Sequence, residues 1–127
     1  MSKELATPKG MVMCKKRHKI FTTAYDNRGV KICSTVNDYE KSHPWQKKLS
    51  MSVGLSEERA FLHSEVKALL KSASMRKKVH TLKVERWDSE GNPKIAFPCV
   101  SCQQGIKLAG VKRVVFTTED GYNEWKV

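Results

Sequence analysis

The order in which strand-like and helix-like stretches follow one another narrows the fold of this chain more than any other feature. Lys19–Tyr25 and Val30–Val36 are rich in β-branched and aromatic residues, and Asp26-Asn27-Arg28-Gly29 between them is a turn signal. The pair therefore reads as an antiparallel hairpin. Leu62, Val66, Leu69, Leu70 and Ala73 recur at helical spacing, and Ser56 before Glu57-Glu58-Arg59 offers an N-cap with acidic residues in the first turn. A helix is expected from Ser56. Val79–Trp87 reads as a third strand and Asp88–Pro93 as a turn. Pro98 leads into a short helix, Cys99–Ala109, closed by Gly110, and Lys112–Thr118 is a fourth strand. Strands separated by helices join through right-handed crossovers and run parallel. The expected fold class is α/β: a three-layer α/β/α sandwich whose mixed sheet carries an antiparallel edge hairpin.

The remaining stretches are less patterned. Residues 1–17 are a basic lead-in with a helix expected from Lys9. Asn37–Gly54, broken by Asp38, Ser42, His43, Pro44 and Ser50, reads as a loop long enough to be functional. Glu119–Val127 reads as a tail, with little room for a fifth strand. A length of 127 residues fits one domain spanning 1–127. With 39% hydrophobic and 8% aromatic residues the composition supports a core and excludes a disordered chain. No apolar run is long enough for a membrane span, and Met1–Gly10 is polar where a secretory leader is apolar. The expected location is the cytoplasm, where closely spaced cysteines bind metal or do redox chemistry rather than form structural disulfides. Cys14 and Cys33 stand alone and read as small buried hydrophobes.

Charge is unevenly spread. The net charge is +11, with 18 Lys/Arg against 7 Asp/Glu up to Lys83 and 6 against 6 from Val84 onward. Lys15-Lys16-Arg17 and Arg76-Lys77-Lys78 are the dense runs. Such a field attracts phosphate, on a nucleotide or on a nucleic acid chain, unless it is only a solvated face.

Two short pieces carry the chemistry: His63-Ser64-Glu65 and Pro98-Cys99-Val100-Ser101-Cys102. A Cys-x-x-Cys pair at a helix start converges two sulfurs on one point, and the positive helix end favours thiolate. His63, Cys99 and Cys102 thus form a three-ligand zinc set, the number a catalytic zinc site uses when it keeps one position open for water. Glu65 lies two residues beyond the histidine, pointing roughly 200° away in helical projection, so it reads as the proton-transferring group and not as a fourth ligand.

His-x-Glu followed by Pro-Cys-x-x-Cys is the signature of zinc nucleobase deaminases. The sequence resembles the cytidine and deoxycytidylate deaminase superfamily, from the first hairpin through the zinc pieces and on through Gln103–Phe116. Asn37-Asp38-Tyr39-Glu40-Lys41-Ser42-His43-Pro44 looks like the small deoxycytidylate-deaminase-like members. The resemblance implies Zn2+ as cofactor, Glu65 as catalytic residue, and Asn37 as a contact to the substrate sugar. It also implies a homo-oligomer, because relatives often border their sites across subunits. Ser64 stands where relatives often have Ala. With Asn37, His43 (within reach of a substrate phosphate), Pro98 and Phe116, it completes the candidate substrate-binding set.

Three functions follow. The first is deamination of a free (deoxy)cytidine nucleotide such as dCMP, favoured by size and by the loop resemblance. The second is deamination of a base in single-stranded DNA or RNA, favoured by charge. The third is a non-catalytic, zinc-stabilised nucleic-acid-binding module, which would need a fourth ligand from Cys14, Cys33, His43 or His80.

Overall fold

The computed structural model describes residues 19–37, 43–54 and 62–127. The helix expected from Lys9, the Lys15-Lys16-Arg17 run, Cys14 and the Ser56 cap lie outside the described residues. β1 (Ile20–Tyr25) and β2 (Lys31–Val36) form the expected hairpin, with Thr22 opposite Thr35 and Ala24 opposite Cys33. Asp26 closes its turn: Oδ1 accepts from the backbone N–H of Arg28 at 2.8 Å and of Val30 at 2.9 Å. Gly29 supplies the positive φ of 81°. The device recurs between β3 (Thr81–Trp87) and the short β4 (Pro93–Lys94), where Asp88 Oδ1 accepts from Glu90 and Asn92.

α1 (Pro44–Ser52) and α2 (Ser64–Ser74) lie between β2 and β3, and α3 (Val100–Leu108) links β4 to β5 (Arg113–Thr118). β6 (Gly121–Lys126) follows β5. The strand order is β2-β1-β3-β5-β6, with β4 beside β3. β3 and β5 run parallel, Leu82 opposite Val114 and Val84 opposite Phe116, and the other pairings are antiparallel. The α/β class and the mixed sheet with its antiparallel edge hairpin are therefore as expected. Ala68 and Leu69 of α2 and Ile106 of α3 share one buried cluster with Ala24, Leu82, Val84, Val114 and Phe116, so both helices cover the same face. The described residues thus supply the sheet and one helical layer of the sandwich.

Three expectations change. The stretch Asn37–Gly54 contains α1, because a proline at the first helical position has no N–H to lose and His43 Nδ1 caps the helix by accepting from Trp45 N at 3.1 Å. Gln46, Leu49 and Ser50 are its buried residues, at helical spacing. The next described helix begins at Ser64 with His63 as N-cap, well past the expected start at Ser56, and Leu62 lies before it in extended backbone. Finally, Glu119–Val127 holds a strand: β6 pairs along β5 from Thr118–Gly121 to Arg113–Lys126. Tyr122 and Trp125, three residues apart and so on opposite faces, give this edge its β-forming aromatics.

Helices α1 and α3 approach each other at Gly105, where an added Cβ would meet Leu49 Cδ1 at 2.9 Å and the Trp45 ring at 3.6 Å. This contact holds the cysteine-bearing helix against α1. Gly105→Ile should cost about 1–3 kcal/mol through overpacking, seen as a fall in Tm of several degrees. An unchanged Tm would show that the two helices are free to separate. The turn carboxylates give a pH signature. Backbone N–H donors hold Asp26 and Asp88 below the ordinary 3.8. A depressed folded-state value adds stability above the unfolded value, and that stability is lost as pH falls through the lower folded one. Carboxyl-carbon NMR titration should place both midpoints below 3.8; a midpoint at or above it would remove the turn role from that residue.

Candidate active site

Both chemical motifs sit at helix starts. His63 (φ −78°, ψ 152°) is the N-cap of α2 and Cys99 (φ −69°, ψ 170°) the N-cap of α3. Each keeps extended backbone while its carbonyl accepts the first helical bond, from Lys67 N at 2.9 Å and Gln103 N at 2.8 Å. α1 steadies the first of them, since the buried Gln46 accepts from His63 N through Oε1 at 3.3 Å. Pro98, fully buried, steadies the second: its carbonyl accepts from Gln103 Nε2 at 2.9 Å. Cys102, one turn into α3, is wholly buried, whereas Cys99 borders solvent.

The three side chains meet. Cys99 Sγ lies 3.5 Å and Cys102 Sγ 3.3 Å from His63 Nδ1, and all three donor atoms fall within 4.8 Å of one another. Zinc–sulfur and zinc–nitrogen bonds at tetrahedral angles put a sulfur about 3.5 Å from an imidazole nitrogen. The observed spacings match, and two soft thiols with one imidazole are a zinc donor set. Among the described residues no fourth His, Cys, Asp or Glu joins the group. Cys33 is buried against Ala68 O and Ser72 Oγ, as its reading as a small hydrophobe implies. The sulfurs differ in proton affinity. The Cys102 thiol hydrogen-bonds to Cys99 and, with His63 and Ser101, holds the Cys99 pKa down to about 3 against the opposing effect of burial. The same bond, with burial, pushes Cys102 well up. Burial alone would lower His63, but hydrogen bonding and charge from Cys99, with Glu65, outweigh it and raise the imidazole above its ordinary value.

Glu65, at the second position of α2, is 5% exposed. Burial raises its pKa, opposed by its own backbone N–H and by His63. The carboxylate has a positioned donor: Ser64 Oγ donates to Glu65 Oε1 at 3.2 Å. With that proton committed, the 2.8 Å contact between Thr22 Oγ1 and Ser64 Oγ runs from threonine to serine. Thr35 Oγ1 also donates to Ser64 O at 2.7 Å. Hydroxyls of β1 and β2 thus hold the start of α2.

His63, Ser64, Glu65 and Cys99 line a pocket of about 170 Å³, walled by Ile20, Asn37, Arg86 and the Ile95–Phe97 segment. A cavity of about 150 Å³ admits one six-membered ring. Asn37, 9% exposed, is in this wall, its Oδ1 accepting from Ile20 N at 3.0 Å. Phe116 lies in the core behind Phe97, ring centroids 5.0 Å apart, and Trp125 of β6 backs the same ring at 5.5 Å. His43 caps α1 and is not among the residues lining the pocket. Sequence reasoning passed over Thr22, Gln46, Arg86 and Phe97. Two had a signal: Arg86 continues the core-facing alternation of Leu82 and Val84, and Phe97 directly precedes Pro98.

An α/β domain with a His/Cys/Cys donor set at two helix starts, a buried carboxylate beside it and an open pocket in front defines a zinc-dependent hydrolase of the deaminase class. Residues 2–118 match the family described as the cytidine and deoxycytidylate deaminase zinc-binding region, and the chain belongs to that family. No curated protein matches it.

Ser64→Ala should destabilise by about 1–3 kcal/mol, because it strands the buried Thr22 hydroxyl and removes a donor from Glu65. Thr22→Val should then cost less in the Ser64→Ala background than in the wild type. Additive losses in thermal unfolding would show that the two hydroxyls are not coupled.

Proposed function

We propose that the protein hydrolyses the exocyclic amine of a cytosine base to give the uracil form, acting on a free (deoxy)cytidine nucleotide such as dCMP. The observation that carries this reading is the buried Glu65 carboxylate, oriented by Ser64, beside the His63–Cys99–Cys102 cluster at a ring-sized pocket. Those three side chains are the proposed zinc ligands. Zinc, when bound, supplies a nucleophile near neutral pH by lowering the pKa of water to about 7. Glu65 takes the proton released as the C4–O bond forms and delivers it to the amine as the C4–N bond breaks and ammonia leaves. Its raised pKa suits a group that must both accept and return a proton. Asn37 holds the sugar side of the substrate, and Phe97, backed by Phe116, offers an aromatic face to the base.

Net charge of +11 supports a second reading, a base presented by single-stranded DNA or RNA. No helix among the described residues is long and apolar enough to cross a membrane. The proposed setting is the reducing cytoplasm, where thiolate ligands persist, and the proposed assembly is a homo-oligomer.

The zinc-loaded protein should be offered deoxycytidine, dCMP, dCTP and cytosine-containing single strands, with products identified by a mass gain of about one dalton on exchange of the amine for oxygen. Glu65→Gln should lower turnover of the true substrate roughly 10²–10⁴-fold, with zinc still near one per chain by metal analysis. Loss of zinc in that variant would make Glu65 a ligand, and undiminished turnover would remove its proton-transfer role.

A further inference from the structure

Arg86 lines the same pocket and has no task in the chemistry above. It ends the β3 row that faces the helices, after Leu82 and Val84, both fully buried. Its backbone is fixed by Arg86 N donating to Thr117 Oγ1 at 3.0 Å. Its guanidinium is poorly satisfied: Nη1 reaches the Ile95 carbonyl at 3.4 Å, and Nε, buried, has no hydrogen-bond partner among the described residues. Of the carboxylates next to it in sequence, Glu85 is engaged with Lys83 and Tyr122 and Asp88 with Lys94, and the pocket carboxylate Glu65 accepts from Ser64 Oγ. A buried N–H without an acceptor is costly, more so on a charged group, and such groups in functional pockets point to an absent partner. The missing partner is an acceptor, and an anion suits the guanidinium charge best, presented in the pocket that Arg86 shares with Asn37 and Ile95. A guanidinium meets a phosphate through two parallel N–H donors, a geometry lysine cannot reproduce.

We propose that Arg86 receives a phosphate oxygen of the substrate, so that the site selects cytosine carried on a phosphorylated sugar. This rests on the deaminase reading and refines it. The phosphate is either the 5′-monophosphate of a free nucleotide or a phosphodiester of a strand, and the experiment separates the two. Arg86 is a specificity residue here, not a proton-transfer group. The competing role is a clamp that holds the β3–β4 segment through the Ile95 carbonyl. Arg86→Gln keeps a donor for that carbonyl while removing the charge.

The test uses the zinc-loaded full chain as wild type, Arg86→Gln and Arg86→Lys. For each, kcat/KM is measured with deoxycytidine, dCMP and a short cytosine-containing single strand, and Kd is measured calorimetrically for dUMP and deoxyuridine, which needs no turnover. In Arg86→Gln the kcat/KM ratio of phosphorylated substrate to deoxycytidine should fall roughly tenfold to a hundredfold, the worth of a charge-assisted hydrogen bond. Arg86→Lys should lie between. A fall confined to dCMP assigns the monophosphate, and a fall confined to the strand assigns the phosphodiester. An unchanged ratio, whether all substrates decline together as a clamp requires or none does, overturns the proposal. If Arg86→Gln does not fold, the ratio in Arg86→Lys decides in the same way. If nothing is deaminated, yet the wild type binds dUMP more tightly than deoxyuridine and the variants lose that preference, the anion site stands and the deaminase reading falls. Equal binding of the two by the wild type would sink the anion site.

Discussion

The proposed chemistry of this domain depends on two helix beginnings aimed at one point. Both α2 and α3 lead into parallel strands and cover one face of the sheet, so their first residues gather at the same end of those strands. His63 and Cys99 are caps rather than interior residues, which frees their side chains from the helical surface and lets them turn toward each other across the gap. Oriented backbone dipoles at two N-termini add positive potential where thiolates must sit. The donor spacing is therefore a property of the topology, and the residues around it need only prevent drift.

Several do so from outside the motifs. Gln46 on α1 grips the backbone of His63, Gly105 lets α1 lie close to α3, and Thr22 and Thr35 tie the start of α2 to the hairpin. The outcome is a carboxylate that is nearly dry yet not alone. Burial makes its protonated form accessible, and the serine hydroxyl fixes its direction. A buried acid without such a donor would be free to rotate, and a solvated one would hold its proton too weakly to return it.

Much of this could be read from the chain before folding, for reasons that differ by element. The hairpin, β3, β5 and α3 follow from alternation, turn chemistry and capping, which are local. The cluster of His63, Cys99 and Cys102 follows from spacing, which is also local once a helix start is granted. α1 was hidden because His43 and Pro44 look like breakers until one asks whether they stand at the first turn, where both are favourable. β6 was hidden because an edge strand with one exposed side carries a weak apolar pattern. The expected helix does not run unbroken through Leu62 to Ala73, because His63 caps α2, and histidine is an uncommon cap that composition does not flag. Gln46 and Thr22 could not be assigned at all, since their roles arise only from packing between distant segments.

Phe97 touches the cavity, but its ring rests on Phe116 and on Trp125, which belong to different strands. The shape offered to a base is thus set partly by side chains that never meet it. Variation at Trp125 would tilt the wall while leaving His63, Cys99, Cys102 and Glu65 untouched, so the shape of the pocket can drift during evolution at a position insulated from the proposed chemistry.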